Sequence, residues 1–343
     1  MKRTNKFLFA FLVVNLSLVL VSLLYQYKMM PHFNFPVITY IQKSSFILLG
    51  PLVYFYTKAI CYSDFKFTKK NWLHFLGFFL MFAYFIVDYS IRSSNTNDIT
   101  TTASLTLFSY SIYSVIFLLQ LVIYIITSFL ILKKYRQTLK TEYSSVENKE
   151  LSWLQILLVV YFFHWLFDTL MFVFYIIEVK SPELFSILGI LSILTLLIFS
   201  TWAVVKGLKQ LAVFSGIEQK SKYADSTLSK SDSEMFVTEL INYMETSQPY
   251  LEPSLKITEL AQSLSIPSKS LSQSINQQLG KNFYDFVNSY RIEEAKSQIK
   301  KANGNGRTIL EILYESGFNS KAAFNRAFKK HTGITPTEYK RSL

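Results

Sequence analysis

The first two-thirds of the chain alternate between long apolar runs and short polar stretches. Six apolar runs lie at residues 7–27, 37–60, 72–89, 105–132, 152–177 and 184–205. Each approaches or exceeds the ~20 residues that a helix needs to cross a bilayer, so the pattern predicts six membrane-spanning helices. The second run contains Gly50-Pro51, which predicts a kink. The first run is long and lacks a following small-residue cleavage site, which favours a retained helix over a signal peptide.

The last third of the chain has a helical periodicity that occurs twice. The first unit runs from Leu255 to Gly280, and the second from Thr308 to Gly333. Each predicts a short amphipathic helix, a tight break and a second helix that ends at glycine. The residues expected to face inward on the second helices are Leu271, Ile275, Leu279, Phe324 and Phe328. This is the helix-turn-helix pattern, in which the second helix can lie in a DNA major groove.

Polar and small side chains remain on the outward faces of these two second helices. They are Lys269, Ser272, Gln273 and Asn276 in the first unit, and Lys321, Ala322, Asn325 and Arg326 in the second. Polar side chains in such positions read base edges or contact phosphates, so these residues form the candidate DNA-binding set. The alternative, a pair of plain helical hairpins, is disfavoured because the pattern occurs in tandem.

Local signals define the ends of the helices in this region. Thr308 and Glu311 form a T-x-x-E capping box, Gly317 suits a left-handed stop, and Ser320 can cap the following helix. A further amphipathic helix begins near Met235, and its predicted N-cap is Ser231 or Ser233.

Two segments carry a resemblance to a known family. They are RIEEAKSQI at Arg291–Ile299 and ESGFNSKAAFNRAFKKHTGITPTEY at Glu315–Tyr339. The region from Met235 to Leu343 closely resembles the DNA-binding domain of AraC/XylS transcription regulators. The resemblance implies a seven-helix-type domain whose two recognition helices occupy successive major-groove faces on one side of the duplex. The positions that match the family's contact sites are Lys269, Ser272, Gln273, Lys321, Ala322 and Arg326.

Three positions depart from the family's pattern. Ser265 stands where the family often has glycine, Gln273 where it often has arginine, and Leu313 where it usually has alanine. The last departure predicts altered packing against the second recognition helix. The segment LLGPLVYFYTKAI at Leu48–Ile60 is similar to membrane-embedded AraC-type regulators.

Composition and charge agree with a membrane half followed by a nucleic-acid-binding half. Half of the 343 residues are hydrophobic, and the net charge is +12. Residues 260–343 hold 13 basic and 6 acidic residues, a local excess that DNA binding requires. The other basic residues flank alternate apolar runs: Lys2, Arg3 and Lys6; Lys66, Lys69 and Lys70; Lys133, Lys134, Arg136, Lys140 and Lys149; Lys206 and Lys209. The opposite loops hold Lys28, Arg92 and Lys180, so the positive-inside rule puts both termini in the cytoplasm.

Few residues suggest chemistry within the apolar half. Cys61 is the only cysteine, which excludes an intrachain disulfide and a cysteine-based zinc site. His164 and Asp168 share one helix face within the fifth run, where ionisable groups are costly. Two interpretations stay open, a sensor of a ligand or proton and a polar pair that fixes helix packing. The sequence has no nucleophile–base pair, phosphate-binding loop or metal cluster, so we expect a protein that is not an enzyme and needs no cofactor.

The sequence therefore predicts an all-α protein with three parts. They are a polytopic membrane domain at residues 1–206, a link at 207–234 and an AraC-type domain with two helix-turn-helix units at 235–343. The predicted function is a sequence-specific transcription regulator held in the inner membrane, with its C-terminal domain in the cytoplasm. Its expected partners are double-stranded DNA, the lipid membrane and a signal ligand of unknown identity; a homodimer stays open. The alternative is a transporter or membrane enzyme with a regulatory or protein-binding tail.

Overall fold

Helices form all the regular structure of the described residues, as a computed structural model of the chain reveals. The structure describes residues 3–26, 36–94, 99–147, 149–177, 181–211, 229–301 and 307–343. Within them no strand is present, and an isolated bridge pairs Tyr143 with Lys256, so the all-α prediction is confirmed. Lys2, Lys28, Lys180 and residues 212–228 of the predicted link lie outside the described residues.

The chain divides into two compact units. Unit 1 comprises Met1–Lys133 and Leu151–Gln219, and unit 2 comprises Lys134–Glu150 and Lys220–Leu343. The helices that begin in unit 1 are α1 (Arg3–Gln26), α2 (Pro36–Ser45), α3 (Leu49–Cys61), α4 (Leu76–Ser94), α5 (Ile99–Glu142), α6 (Ser152–Ile176) and α7 (Pro182–Leu211). The last turns of α5 belong to unit 2.

Four stretches of the described residues are long and apolar enough to cross a membrane. They are Lys43–Cys61, Lys69–Ser90, Ser111–Glu142 and Ser152–Phe174. The first and last predicted spans overlap the shorter apolar stretches Lys6–Ser17 and Ile187–Phe199. Of the four, Lys43–Cys61 is the most enclosed and Lys69–Ser90 is the most exposed. The second predicted span therefore lies at the centre of unit 1.

This central span is broken just before the glycine-proline pair that predicted a kink. A 3-10 helix at Phe46–Leu48 joins α2 to α3. The Gln120 side chain on α5 donates from Nε2 to the Ile47 carbonyl oxygen at 3.0 Å, which satisfies an acceptor at the break. Pro51 falls in the first turn of α3, where its missing N–H costs nothing.

Contacts along α5 show that it runs parallel to the α2–α3 span. The Tyr113 hydroxyl donates to the Lys43 carbonyl oxygen at 2.7 Å, and Gln120 reaches Ile47. Further along, a Cβ at Gly50 would lie 2.6 Å from the Tyr124 ring, so the ring needs glycine there. Residue numbers rise together on both helices, as they do for two spans of the same direction.

Unit 2 contains seven further α-helices among the described residues. They are α8 (Lys230–Ser247), α9 (Ile257–Ser263), α10 (Ser268–Leu279), α11 (Phe283–Lys301), α12 (Ile309–Glu315), α13 (Lys321–Thr332) and α14 (Pro336–Arg341). Helix α8 begins five residues before Met235, and its N-cap is Ser229, whose side chain accepts from the Asp232 N–H at 3.0 Å. The predicted caps Ser231 and Ser233 were wrong because the helix starts earlier than its apolar periodicity.

Helix α11 contributes to both hydrophobic cores of unit 2. Its first half supplies Phe283, Phe286 and Val287 to a core with α8, α9 and α10. Its second half supplies Ile292, Ala295 and Ile299 to a core with α12 and α13. One continuous helix therefore joins the two helix-turn-helix units.

Candidate nucleic-acid interface

The first helix-turn-helix unit consists of α9 and α10. Leu271 and Ile275 are fully buried, as the periodicity predicts, and small Ala261 lies beneath them at 1% exposure. The turn passes through Ser265, whose φ of 54° is in the left-handed region. The next residue, Ile266, donates its N–H to the Ala261 carbonyl oxygen at 2.9 Å and closes the turn. The position where the family often has glycine is thus a left-handed one in this chain.

The second unit, α12 and α13, has the predicted caps. Thr308 Oγ1 accepts from the Glu311 N–H at 3.2 Å, and Glu311 Oε2 accepts from the Thr308 N–H at 2.8 Å. Ser320 caps α13 by accepting from the Ala323 N–H at 3.1 Å. Phe324 and Phe328 are fully buried. Leu313 is also buried and shares their core, so the larger side chain fits into this packing.

The structure leaves most of the predicted DNA-binding side chains accessible on α10 and α13. Lys269, Asn276, Lys321, Ala322 and Arg326 are exposed, whereas Ser272, Gln273 and Asn325 are half-buried. Each helix thus carries a polar face opposite its buried face. That arrangement is the one a recognition helix needs.

A buried arginine joins the two halves of unit 2. Arg291 on α11 is 1% exposed, and its Nε donates to the Tyr250 carbonyl oxygen at 2.7 Å. Its Nη2 donates to the Glu252 carbonyl oxygen at 2.7 Å and to Ser144 Oγ at 3.1 Å, while Nη1 donates to the Ser144 carbonyl oxygen at 3.2 Å. Burial lowers the pKa of Arg291 to about 10, although nearby carboxylates such as Glu147 act in the opposite direction. These neutral acceptors make the burial of a charge tolerable.

Gly317 allows the second helix-turn-helix unit to approach the backbone of Tyr250 closely. Its φ is 84°, and an added Cβ would lie 2.4 Å from the Tyr250 carbonyl oxygen. That oxygen is also the acceptor for Arg291 Nε. The next residue, Phe318, places its ring 5.7 Å below the Arg291 guanidinium. The junction of the two helix-turn-helix units therefore depends on a glycine at 317 and an arginine at 291.

The turn after α5 lies against this same region of unit 2. The Ser144 N–H donates to the Leu255 carbonyl oxygen at 3.1 Å. Asn319 Nδ2 donates to Ser145 Oγ at 2.9 Å, and Arg326 Nη2 lies 3.7 Å from Glu147 Oε1. Burial, followed by the charge of Glu147, raises the pKa of Tyr284 on α11 to about 12.

Arg291, Glu147 and Asn319 were not predicted from the sequence as members of this site. Arg291 did have a usable signal, because it lies four residues from both Val287 and Ala295 on the buried face of α11. Glu147 and Asn319 had none. Their contacts join segments that are far apart in the chain, and a local pattern carries no information on such pairs.

His164 and Asp168 come together in unit 1, as their spacing predicts. His164 Nε2 lies 3.5 Å from Asp168 Oδ2 on α6. The other ring nitrogen, Nδ1, lies 3.0 Å from Ser192 Oγ on α7. The predicted pair is therefore part of a three-residue polar cluster between two helices. Ser192 had not been predicted.

Comparison with known proteins gives matches to the C-terminal region. Residues 260–342 match a family model described as a helix-turn-helix domain. An HTH-type transcriptional regulator from Staphylococcus aureus (strain COL) is 32% identical over 104 residues, which are 30% of this chain and 13% of the relative. The HTH-type transcriptional activator RhaS from Mannheimia succiniciproducens is 29% identical over 100 residues, which are 29% of this chain and 35% of RhaS. This chain thus matches only a small part of the length of these relatives.

Two solved structures also match this region. A protein of unknown function from Listeria innocua is 27% identical, with a TM-score of 0.28, over 31% of this chain and 95% of that one. The C-terminal domain of AraT, a response regulator from Geobacillus stearothermophilus, is 26% identical, with a TM-score of 0.28, over 34% of this chain and 89% of that one.

Proposed function

We propose that this chain, whose C-terminal region is an AraC-type helix-turn-helix domain, is a membrane-anchored transcription regulator that binds specific DNA sequences. Helices α10 and α13 enter the major groove, and the residues that contact DNA are Lys269, Ser272, Gln273, Asn276, Lys321, Ala322, Asn325 and Arg326. The observation that carries the proposal is the pair of polar recognition faces on helices whose cores share α11. A shared helix fixes the spacing that two successive groove contacts need.

Binding by the full chain in lipid nanodiscs to random-sequence DNA pools over a salt series tests this proposal. We expect selection of a defined site and an affinity that falls steeply with salt, because basic side chains displace counterions from phosphates. Arg326→Ala should weaken binding to the selected site by about tenfold or more. Arg341→Ala removes the same charge from the exposed end of α14 and should change the affinity much less. Absence of both a selected site and a salt dependence would refute the proposal.

We further propose that unit 1 lies in the inner membrane, with unit 2 in the cytoplasm. Supporting observations are the outward apolar side chains of unit 1, such as Leu80, Ile123 and Phe163, each at least 60% exposed. The packing of residues 134–150 gives separate support. Residues 134–150 pack within unit 2, so they must lie on the same side as the DNA-binding domain. The positive-inside pattern independently assigns both segments to the cytoplasm.

The cluster of His164, Asp168 and Ser192 is proposed as the place where unit 1 responds to a signal. A sensor needs two states that a ligand or proton distinguishes, and an ionisable pair at membrane depth meets that need. The double variant His164→Ala, Asp168→Ala should abolish the response of target-gene expression to the signal. DNA binding by the purified chain should persist. Loss of a transported activity instead would favour the transporter.

A further inference from the structure

The turn that follows α5 makes contacts at the DNA-binding end of unit 2. We define the docking loop as residues 143–147 and 149–150. It begins with the antiparallel bridge between Tyr143 and Lys256, and the Ser144 backbone and hydroxyl both donate to the Leu255 carbonyl oxygen. The docking loop is therefore held by specific hydrogen bonds to the backbone of unit 2.

Arg291 holds the start of the docking loop in place. Two of its guanidinium nitrogens donate to Ser144, one to the hydroxyl and one to the carbonyl oxygen. If the loop left, Arg291 would lose these two hydrogen bonds and keep those to the Tyr250 and Glu252 carbonyl oxygens. Loss of acceptors from a charged donor is costly. Arg291 therefore favours the docked state.

The far end of the docking loop meets the second recognition helix at its N-terminal end. Ser145 accepts from Asn319, which comes directly before the N-cap of α13. Glu147 pairs with Arg326, a residue of the candidate DNA-binding set. Base contacts in helix-turn-helix proteins come from the N-terminal residues of the recognition helix. The loop thus occupies the region where a groove edge would approach.

The Glu147 side chain makes fewer hydrogen bonds than Ser144 does. Its Oε2 accepts from Ser145 Oγ at 2.7 Å, but its buried Oε1 has no hydrogen-bond donor among the described residues. The 3.7 Å separation from Arg326 is longer than a hydrogen bond. A DNA phosphate offers Arg326 shorter, charge-assisted bonds. The pair with Glu147 is therefore one that DNA can displace.

We propose that the docking loop is an intramolecular competitor of DNA, in which Glu147 occupies Arg326 while Arg291 retains the loop through Ser144. Docking of the loop and contact of Arg326 with DNA are alternatives. The loop leads directly into α6, the helix that carries His164 and Asp168, so a change in unit 1 reaches the second recognition helix through the chain. This inference rests on the proposed DNA-binding function.

Two variants that release the loop in different ways test the competition. Glu147→Gln removes the carboxylate that faces Arg326, and Ser144→Ala removes a hydroxyl acceptor of Arg291 without a change in charge. Each should raise the DNA affinity of the full chain in nanodiscs by about fivefold. Glu150→Gln is the matched control, because it changes the loop charge equally, and Arg136 binds the Glu150 carbonyl oxygen, which the change leaves in place. Equal gains for Glu147→Gln and Glu150→Gln, with none for Ser144→Ala, would overturn the proposal in favour of plain charge repulsion.

A reversible crosslink provides the second measurement. Ser145→Cys and Asn319→Cys are combined in a Cys61→Ser background, and Ser145→Cys alone is the control. We expect oxidation to close the loop and weaken DNA binding by about tenfold or more, with recovery on reduction. Failure to crosslink, or full DNA binding by the crosslinked chain, would overturn the competition while the DNA-binding function stands. Absence of DNA binding by the reduced chain and by all variants would refute the proposed function and this inference with it.

Discussion

Three residues of the DNA-binding unit occupy environments that most side chains avoid. Ser265 adopts a left-handed backbone, Gly317 allows a close backbone approach, and Arg291 carries a charge into the core. The glycine and the arginine stabilise the junction, because each contacts the Tyr250 carbonyl oxygen. Ser265 is different, since its conformation is imposed by the turn and its exposed side chain gains little from it.

Replacement of Ser265 by glycine should therefore stabilise the first helix-turn-helix unit. Left-handed backbone costs an L-residue about 1–2 kcal/mol, and part of this gain is lost to the greater freedom of glycine in the unfolded chain, so we expect a net gain of about 1 kcal/mol. Hydrogen exchange of the α9 and α10 amides, measured by mass spectrometry on the full chain, should slow accordingly.

The control for this change is Ser270→Gly, within α10. That residue has ordinary helical backbone, so glycine should destabilise the unit by about 0.5–1 kcal/mol. Faster exchange in Ser265→Gly than in the parent chain would mean that the serine side chain itself stabilises the turn.

At the scale of elements, one helix in each unit determines how its neighbours are arranged. Helix α11 contributes to both cores of unit 2, so the two recognition helices pack against the same helix. In unit 1, α5 follows the broken span and compensates for the break through Gln120. A backbone carbonyl released at such a break needs a replacement donor, above all in an apolar setting.

Loss of that donor should weaken unit 1. Gln120→Leu leaves the Ile47 carbonyl oxygen without its partner, which costs about 1–3 kcal/mol. Cys61 is the single cysteine of the chain and is fully buried, so a thiol-reactive dye reports on unfolding of the detergent-solubilised chain. The labelling midpoint should fall by several degrees in Gln120→Leu. It should change little in Thr127→Val, whose hydroxyl bonds to its own helix.

Periodicity predicted the elements well because each buried face is a local property. The inward residues of α10 and α13, the capping box at Thr308 and the left-handed Gly317 all follow from spacing and residue type. Long-range pairs did not follow. The contacts of Ser144 with Arg291 and of Glu147 with Arg326 join segments on either side of α6 and α7, so no window along the chain contains both partners.

For the whole molecule, the proposed arrangement requires a specific sidedness. In the proposed arrangement, six spans with basic alternate loops would put residues 61–71, 133–151 and the C-terminal unit in the cytoplasm, and residues 178–183 outside. The membership of residues 134–150 in unit 2 agrees with this assignment. If the number of spans were wrong by one, the later loops would be assigned to the opposite side of the membrane, and that agreement would be lost.

Labelling with a membrane-impermeant maleimide in intact cells tests the sidedness. In a Cys61→Ser background, Ser181→Cys should react, because the loop before α7 is predicted to lie outside. Ser63→Cys, in the exposed turn after α3, should react only after the membrane is permeabilised. The reverse result would place the DNA-binding unit on the wrong side for contact with DNA and contradict the proposed localisation.

The division of the DNA-binding unit between two separate stretches of the chain limits how such a protein can be recombined. A gene fusion that transfers only residues 229–343 to another sensor would leave Ser144 behind and open the pocket of Arg291 to solvent. The recipient would need a loop of its own to fill that pocket, or a different residue at 291. We therefore expect chimaeras whose DNA binding remains regulated to require transfer of residues 134–150 together with the C-terminal region, so the two stretches must be inherited together.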